Sequence, residues 1–268
     1  MRILLFALMF LSVLTNAQTP IKVMTYNIRL DVASDGVNQW SNRKEKLPAL
    51  IQKYDPDLVG LQEAMHHQLM EILKALPQYG YIGVGRDDGK EKGEYSAILY
   101  RKDRFTLQSQ STSWLSETPD VPGSKSWDAA ITRVLTRGIF LDKKNNKKFI
   151  YFNTHFDHIG KEARKNSASI IVEAIRKESA GLPVIVTGDF NSQPTEDPYK
   201  VVKDFLSDSR SGEQGTFCTF KVNGAPCTLI DYIFYKDLKS SDYKVITDND
   251  GTYYPSDHLP VMTSLSFE

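Results

Sequence analysis

The stretch Val184-Ile185-Val186-Thr187-Gly188-Asp189-Phe190-Asn191 joins an apolar run to a polar end. The run of β-branched residues is typical of a buried strand. Asp189 and Asn191 follow on a short turn, where alternate residues can point one way while Phe190 returns to the core. An isolated Asp-Phe-Asn is more often a simple turn without a chemical role. The stretch indicates a functional site only in combination with similar motifs elsewhere in the chain.

Four further polar motifs each stand where a strand should end. They are Tyr26-Asn27-Ile28, Leu61-Gln62-Glu63, Asn153-Thr154-His155 and Ser256-Asp257-His258. Asn, Glu, Asp and His are the side chains that hold a hard divalent cation and move protons around a phosphate. One such motif would indicate little, but five predict a single site assembled from distant parts of the fold.

Composition indicates an ordinary globular protein, because 41% of the 268 residues are hydrophobic and 25% are charged. The chain has 33 basic and 33 acidic residues, so no strongly basic field indicates a nucleic-acid partner. Nucleic acid stays an alternative, since a bound cation can supply the positive charge that a phosphate needs. The absence of repeats, linkers and composition breaks predicts one domain over residues 18–268.

Residues 1–17 have the pattern of a secretory signal peptide. Arg2 precedes an apolar run from Ile3 to Leu14, and Ala17 supplies the small residue before cleavage. The run is shorter than the roughly 20 residues that span a membrane. A buried N-terminal strand or helix is the alternative. We expect export to a periplasm or to the extracellular space, and no transmembrane segment.

The two cysteines, Cys218 and Cys227, flank Asn223-Gly224, a pair that favours a tight hairpin turn. A hairpin would bring the cysteines together, and an exported chain meets oxidising conditions, which favours a disulfide. Two free thiols are the alternative, because the turn does not place the cysteines directly opposite each other. With no His or further Cys nearby, the pair predicts no zinc site.

Strand-like and helix-like segments alternate along the chain, which predicts an α/β protein. Strands are expected at 21–26, 57–61, 81–84, 96–101, 105–108, 131–141, 148–153, 183–187, 228–235, 243–247 and 259–267. Helices are expected at 41–54, at 65–76, at 160–180 and from Asp197-Pro198 onward. Two packed sheets with helices outside suit this pattern, although periodicity does not distinguish them from one open sheet.

The motifs resemble those of the endonuclease/exonuclease/phosphatase superfamily, which includes pancreatic deoxyribonuclease, abasic-site endonucleases, neutral sphingomyelinases, inositol polyphosphate 5-phosphatases and deadenylases. The five motifs and Ile230-Asp231-Tyr232-Ile233 occur in the order typical of that family. Stretches at 84–89 and 114–119 resemble an uncharacterised secreted subgroup. The resemblance covers the mature chain. It implies a four-layer α/β sandwich of two packed mixed β-sheets flanked by helices, with a divalent-metal site at the sheet edge.

The same resemblance implies a set of metal ligands. Glu63 matches the principal ligand of the family, Asn27 offers a neutral oxygen and Asp257 a second charge. Mg²⁺ or Mn²⁺ is expected, since Mg²⁺ takes one or two carboxylates and keeps several waters. The alternative for Glu63 is a carboxylate that interacts with the dipole of the following helix.

Roles in proton transfer follow from the resemblance in the same way. Asp189 would hold or deprotonate the attacking water, and Asn191 would donate to a phosphate oxygen. His258 would stabilise or protonate the oxyanion, with Asp231 as the carboxylate that orients its ring. His155 resembles a second histidine of the deoxyribonuclease group.

Three further residues are candidates. Glu94 resembles the acidic partner of His155. Arg133 and Arg137 are candidates for contact with the substrate phosphate, because arginine forms paired hydrogen bonds to phosphate oxygens. Arg137 stands where a Trp is expected in close relatives, and its role is open. The histidines at positions 66, 67 and 158 are expected to be structural or exposed.

These observations predict a secreted, monomeric, metal-dependent hydrolase that uses activated water to cleave a phosphodiester or phosphomonoester of unidentified structure. Two alternatives stay open. A secreted nuclease acting on DNA or RNA would share the same catalytic site. A non-catalytic binding module could use the same fold, although the presence of every motif residue argues against it.

Overall fold

The computed structural model describes residues 18–268, so the predicted signal peptide lies outside the described residues. The strands are β1 Ile21–Asn27, β2 Leu58–Gln62, β3 Tyr79–Ile82, β4 Ile98–Arg101, β5 Phe105–Trp114, β6 Val134–Asp142, β7 Lys147–His155, β8 Val184–Asp189, β9 Ser207–Asp208, β10 Asp231–Lys236, β11 Leu238–Val245 and β12 Val261–Phe267. The helices are α1 Trp40–Arg43, α2 Lys46–Tyr54, α3 His66–Ala75, α4 Lys161–Glu178 and α5 Asp197–Lys203. Across these residues, no helix has the length and apolar character needed to cross a bilayer.

The strands form two six-stranded sheets. The first has the order β11-β12-β1-β2-β4-β3 and the second the order β5-β6-β7-β8-β10-β9. Each sheet contains one parallel pair, β1 with β2 and β7 with β8, among antiparallel neighbours. The predicted sandwich of two mixed sheets is therefore confirmed.

Alternation along the strands divides the interior into layers. In β7, Phe149 and Tyr151 enter the core between the sheets, whereas Ile150 and Phe152 pack towards Ile171 of α4. A separate core lies between the first sheet and helices α1 to α3. Because successive strand residues face opposite sides, each sheet has two apolar faces, one for its partner sheet and one for helices.

Helix α4 covers the second sheet with an apolar stripe that includes Ile171 and Ile175, four residues apart. Its N-terminus is capped from a distant loop, since Asp128 accepts hydrogen bonds from the amides of Glu162 and Ala163 at 3.2 and 2.7 Å. A carboxylate at this position also interacts favourably with the helix dipole. Asp128 therefore caps helix α4.

A buried polar network joins the two sheets. The amide of Asn153 in β7 donates to the carbonyls of Leu61 and Ala97, at 2.8 and 2.9 Å. Its oxygen accepts from Gln62 Nε2 at 2.8 Å and from Thr187 Oγ1 at 2.9 Å. Every hydrogen-bonding position of this fully buried side chain is used, which fixes the offset between the sheets.

The close approach of the sheets requires a glycine in β2. A Cβ atom at Gly60 would lie 2.2 Å from Thr187 Oγ1 and 2.5 Å from Asn153 Oδ1. Any side chain at position 60 would therefore displace the polar network from its place.

Arg104, which is 2% exposed, lies at the end of the sandwich where β1 and β2 begin. Its guanidinium bonds Asp142 of the second sheet at 2.9 and 3.2 Å and Asp57, next to β2, at 2.8 Å. It also donates to the carbonyls of Thr19 and Pro20 before β1. One buried cation thus connects both sheets and the start of the described chain.

Two strands extend well beyond the sequence prediction. Strand β5 continues to Trp114, beyond the expected residue 108, and β11 begins at Leu238, before the expected residue 243. Both strands lie at sheet edges, where their side chains are mostly polar and exposed. An edge strand needs no apolar face, so hydrophobic periodicity does not reveal its full extent.

We expect Arg104→Ala to lower the free energy of unfolding by about 3–5 kcal/mol, because it leaves the fully buried Asp142 without its cationic partner. Arg101→Ala is the matched control. Arg101 pairs with the exposed carboxylates of Asp55 and Asp103, and its loss should cost about 1 kcal/mol or less. Urea unfolding followed by tryptophan fluorescence measures both. Equal losses for the two variants would contradict the structural role of Arg104.

Candidate active site

The predicted polar motifs meet at one edge of the two sheets. Strands β1, β2, β7 and β8 end at this edge, whereas β10 and β12 begin there. The strand register places His155 beside Asp189 and Asp189 beside Asp231. A pocket of about 310 Å³ lies at this edge, and its charged and polar lining comprises Arg29, Glu63, Glu94, Arg133, His155, His158, Asp189, Asn191, Asp257 and His258.

Asn27 connects carboxylates from the two sheets. Its Nδ2 donates to Glu63 Oε1 and to Asp189 Oδ2, both at 3.0 Å. Its Oδ1 accepts from the amide of Arg29 at 3.0 Å, and Glu63 Oε2 accepts from the amide of Leu30 at 3.1 Å. In this structure the amide of Asn27 orients the two acids, and its oxygen bonds the backbone.

Three residues at this edge have left-handed backbone conformations without being glycine. They are Arg29 at φ 58°, Glu63 at φ 61° and Asn191 at φ 44°, and each lies within two residues of a strand end. Such a conformation costs about 1–2 kcal/mol for a residue with a Cβ atom. Strain of this kind is characteristic of functional sites, where the surrounding structure holds side chains in place.

Asp231 and His258 form a buried ion pair, with 2.8 Å between Oδ2 of Asp231 and Nδ1 of His258. This is the contact that the predicted orienting role requires. Nε2 of His258 lies 3.7 Å from Asp189 Oδ2. Burial lowers the pKa of His258, but Asp231 and Asp189 outweigh it and raise that pKa to about 10. His258 is therefore an imidazolium at neutral pH.

Three potential ligand atoms, from Asp189, Asp231 and His258, lie within 4.8 Å of one another. In this structure the Nδ1 atom of His258 lies 2.8 Å from Oδ2 of Asp231, so a metal ion at this cluster would have to displace that contact.

Asp189 is buried below the pocket. Burial and the nearby charge of Asp231 raise the pKa of Asp189 to about 7. The amide of Asn191 donates to its Oδ1 at 2.9 Å, and Asn27 donates to its Oδ2. A carboxylate with a pKa near neutral can accept a proton from water at physiological pH.

His155 differs from His258 in its protonation state. Burial, followed by the charges of Arg133 and Arg86, lowers the pKa of His155 well below its usual value. Nδ2 of Asn191 donates to Nε2 of His155 at 3.1 Å, which leaves the proton of the neutral ring on Nδ1. That Nδ1 has no hydrogen-bond partner among residues 18–268.

Glu94 contacts two arginines in the structure. Its Oε2 lies 2.6 Å from Arg86 Nη1 and 3.8 Å from Arg133 Nη1, and it forms no hydrogen bond with His155. The predicted pairing of Glu94 with His155 is thus replaced by an ion pair, because a guanidinium lies closer. Arg133 is 6% exposed, and its Nε and Nη1 have no hydrogen-bond partner within the described chain. Two cations face one carboxylate, so this wall of the pocket favours an anion.

Arg137 lies outside the pocket. It follows Arg133 by four residues along β6, a distance of about 13 Å at the rise of a strand. Its guanidinium bonds Glu178 at the end of α4 and Ser113 of β5. The structure therefore does not bring Arg137 to the site proposed for it, since both partners hold it elsewhere.

Arg43 is a buried residue that sequence analysis did not single out. Its guanidinium donates to the carbonyls of Ile28, Arg29, Asn38 and Pro255, at 2.6 to 3.2 Å. These carbonyls belong to the loops that follow Asn27 and precede Asp257. Helical spacing does not reveal such a role, because every acceptor is a backbone atom from a loop.

Two further pocket residues went unrecognised in the sequence. Phe217 is 36% exposed and lines the pocket, with its ring centroid 4.9 Å from that of His258. His158, expected to be structural or exposed, also lines the pocket and accepts a hydrogen bond from Arg133 Nη2 at 3.5 Å. No local pattern distinguishes either residue. Cys218, which follows Phe217, does form the predicted disulfide with Cys227.

The carboxylates of this pocket fit a divalent cation. Burial raises the pKa of Asp257, and the charge of Glu63 raises it further. Glu63 also raises the pKa of Glu94, after burial. A carboxylate whose pKa is raised by a neighbouring acid is stabilised in its charged form when a doubly charged ion lies beside it. Glu63 and Asp257, with the amide oxygen of Asn27, offer the hard oxygen donors that Mg²⁺ and Mn²⁺ prefer.

The fold and the site together define a hydrolase of phosphoester bonds. Residues 24–258 match the model of the Endonuclease/Exonuclease/phosphatase family, and the chain belongs to this family. Its members are hydrolases that act on phosphoester bonds and generally depend on a divalent metal.

Two solved structures from Bacteroides thetaiotaomicron are similar along nearly their whole length. An endonuclease/exonuclease/phosphatase family protein is 41% identical, with 94% of this chain and 96% of that chain covered and a TM-score of 0.89. A mannosyl-6-phosphatase is 40% identical, with 92% and 100% covered and a TM-score of 0.87. Mouse nocturnin is 24% identical, over 94% of this chain and 67% of that protein.

We expect Asp231→Asn to lower the pKa of His258 from about 10 towards the usual value of histidine, because it removes one of the two carboxylates that offset burial. An NMR titration of the imidazole in metal-free protein measures this change. Asp208→Asn is the control, since Asp208 instead contacts Tyr199 and Arg210. An unchanged titration in Asp231→Asn would contradict the assigned ion pair.

Proposed function

We propose that the protein is an exported, divalent-metal-dependent phosphomonoesterase that removes phosphate from a phosphorylated sugar. The observation that carries the proposal is one pocket in which a buried carboxylate, an imidazolium and an arginine face the same space. Export rests on the sequence of residues 1–17 and is part of the proposal.

The size of the pocket supports a small substrate. Its volume of about 310 Å³ is at the lower end of the range of roughly 300–1,000 Å³ that is usual for small-molecule sites. Phe217, Ile131 and Ile230 contribute apolar lining, against which the C–H face of a sugar ring could pack. The 40% identity to a mannosyl-6-phosphatase supports the same substrate class.

Arg133 is the residue proposed to bind the phosphate. It is buried, and its Nε and Nη1 have no hydrogen-bond partner among residues 18–268. Arginine forms paired hydrogen bonds to phosphate oxygens. Neutral His155 lies beside it and adds no competing charge. Arg86 holds Glu94 in an ion pair, so this acid contributes less repulsion towards the incoming phosphate.

The divalent ion would be held by Glu63 and Asp257, with Asn27 beside them. When bound, such an ion neutralises the phosphate and stabilises the charge that develops on the leaving oxygen. The family relationship supports a divalent metal, and the choice of Mg²⁺ or Mn²⁺ is part of the proposal.

Asp189 is proposed to orient the attacking water and accept its proton. Asn27 and the Asn191 amide hold the carboxylate in place, and its pKa near 7 suits the task. His258, held by Asp231, would direct its Nε2 proton to a phosphate oxygen as negative charge grows in the transition state. Water attack on phosphorus then expels the sugar oxygen, which takes up a proton as it leaves.

We expect purified protein to hydrolyse hexose 6-phosphates in the presence of Mg²⁺ or Mn²⁺, and to lose this activity with EDTA. A panel that also contains single- and double-stranded DNA, RNA, an aryl phosphodiester, inositol phosphates and sphingomyelin defines the substrate class. Faster cleavage of an oligonucleotide than of any sugar phosphate would replace the proposal with a nuclease. Full activity in EDTA would contradict the metal requirement.

We expect Glu63→Ala, Asp189→Ala and His258→Ala each to lower kcat by at least about 10²–10³-fold, the usual cost of losing one group that stabilises the transition state. Circular dichroism checks that each variant is folded. Arg137→Ala is the control, because this arginine lies outside the pocket and should leave kcat unchanged. Full turnover by folded Asp189→Ala would overturn the proposed role of that acid.

A further inference from the structure

A disulfide-closed hairpin lies along the segment that carries Asp257 and His258. We call residues 216–228 the disulfide hairpin. Its first arm, residues 216–222, runs antiparallel to residues 252–259. Four backbone hydrogen bonds of 2.7 to 2.9 Å join them. The amides of Val222, Tyr254, Cys218 and Leu259 donate to the carbonyls of Thr252, Phe220, Asp257 and Thr216, respectively. Residues 252–259 belong to no strand, and these four bonds join them to the hairpin.

The base of the hairpin also contacts the strand that carries Asp231. The amides of Thr216 and Phe217 both donate to the carbonyl of Thr228, and the amide of Thr228 donates back to Phe217. Oγ1 of Thr216 accepts from the amides of Ile230 and Asp231, each at 3.2 Å. One short piece of backbone therefore positions both members of the Asp231–His258 pair.

Side chains of the same arm reach both halves of the site. The ring of Phe217 lies 4.9 Å from the ring of His258. The ring of Phe220 lies 5.2 Å from the guanidinium carbon of Arg43, which in turn holds the carbonyls of Ile28 and Pro255. The hairpin thus contacts the imidazolium directly and reaches the loops of Asn27 and Asp257 through Arg43.

Little apart from the disulfide holds the outer part of the hairpin. Residues 223–227 are all exposed, and they contribute no side chain to the hydrophobic cores. Gly215, just before the hairpin, allows the second arm to pass close by, because a Cβ there would lie 2.2 Å from the carbonyl oxygen of Cys227. A covalent closure of this short loop removes conformations that the exposed sequence would otherwise adopt.

We propose that the Cys218–Cys227 disulfide is a positioning element of the active site, and that its reduction lowers turnover while the fold persists. A dithiol reductant supplies two electrons and two protons; the Sγ–Sγ bond breaks, both cysteines become thiols, and the dithiol becomes a disulfide. Oxidation reverses the exchange. The inference rests on the proposed function only where turnover is measured.

Three samples test the inference: oxidised protein, the same protein treated with dithiothreitol, and Cys218→Ser/Cys227→Ser. We expect kcat for a sugar phosphate to fall roughly 10–100-fold on reduction, because small misplacement of catalytic groups costs this much. We expect circular dichroism to stay the same and reoxidation to restore kcat. The double variant should match the reduced protein and not respond to dithiothreitol.

Hydrogen exchange provides a readout that needs no substrate. Reduction should accelerate exchange of the amides of Tyr254 and Leu259, which the hairpin holds, and leave the amide of Ile150 in β7 protected. If no substrate of the panel is hydrolysed, the proposed function fails while this measurement still decides the inference. Unchanged exchange and unchanged kcat after complete reduction, verified by thiol titration, would overturn it. Should the double variant not fold, the reduced wild-type protein alone decides.

Discussion

The hydrogen bonds of Asn153 hold the two sheets at a fixed offset. This side chain belongs to one sheet and donates to backbone carbonyls of the other, so it fixes how the two sheets are offset. Polar groups in a low-dielectric interior tolerate little misalignment. A buried polar group that loses its hydrogen bond costs several kcal/mol, and the cost is smaller only if a water molecule replaces the lost partner. The offset brings the strand end at Asn27 to the strand end at Asp189, and the pocket exists because these ends meet.

Neighbouring charges give the two histidines of the pocket opposite protonation states. His258 lies between two carboxylates and keeps its proton, whereas His155 lies near two arginines and is neutral. Asp189 is intermediate, because burial keeps its proton affinity high while His258 lowers it. Acid, base and anion-binding groups thus coexist within one small cavity, and each obtains its character from packing as much as from residue type.

Sequence patterns predicted an α/β protein and the convergence of the motifs, whereas the two-sheet sandwich was predicted from the resemblance to a known family. Apolar runs that end in acids or amides, as at Asp189, place polar groups at one sheet edge whatever the details of packing. Backbone contacts and competition between charges are not visible in a sequence. Arg43 bonds backbone carbonyls, and Glu94 pairs with Arg86 in preference to His155. Arg137 lies along β6, away from the sheet edge that carries the pocket. Polar edge strands such as β5 likewise lack the apolar period that reveals inner strands.

The two ends of β1 have different roles, one in the stability of the fold and the other in the pocket. Arg104 gathers its partners around the residues before Ile21, while Asn27 enters the pocket about 20 Å away at the other end of the strand. Adaptation to heat or to proteases can therefore act on one rim of the sandwich while adaptation to a new ester acts on the other. Substitutions that change the stability of the fold and substitutions that change its substrate can thus lie at opposite ends of the sandwich, and we expect their effects to be nearly independent.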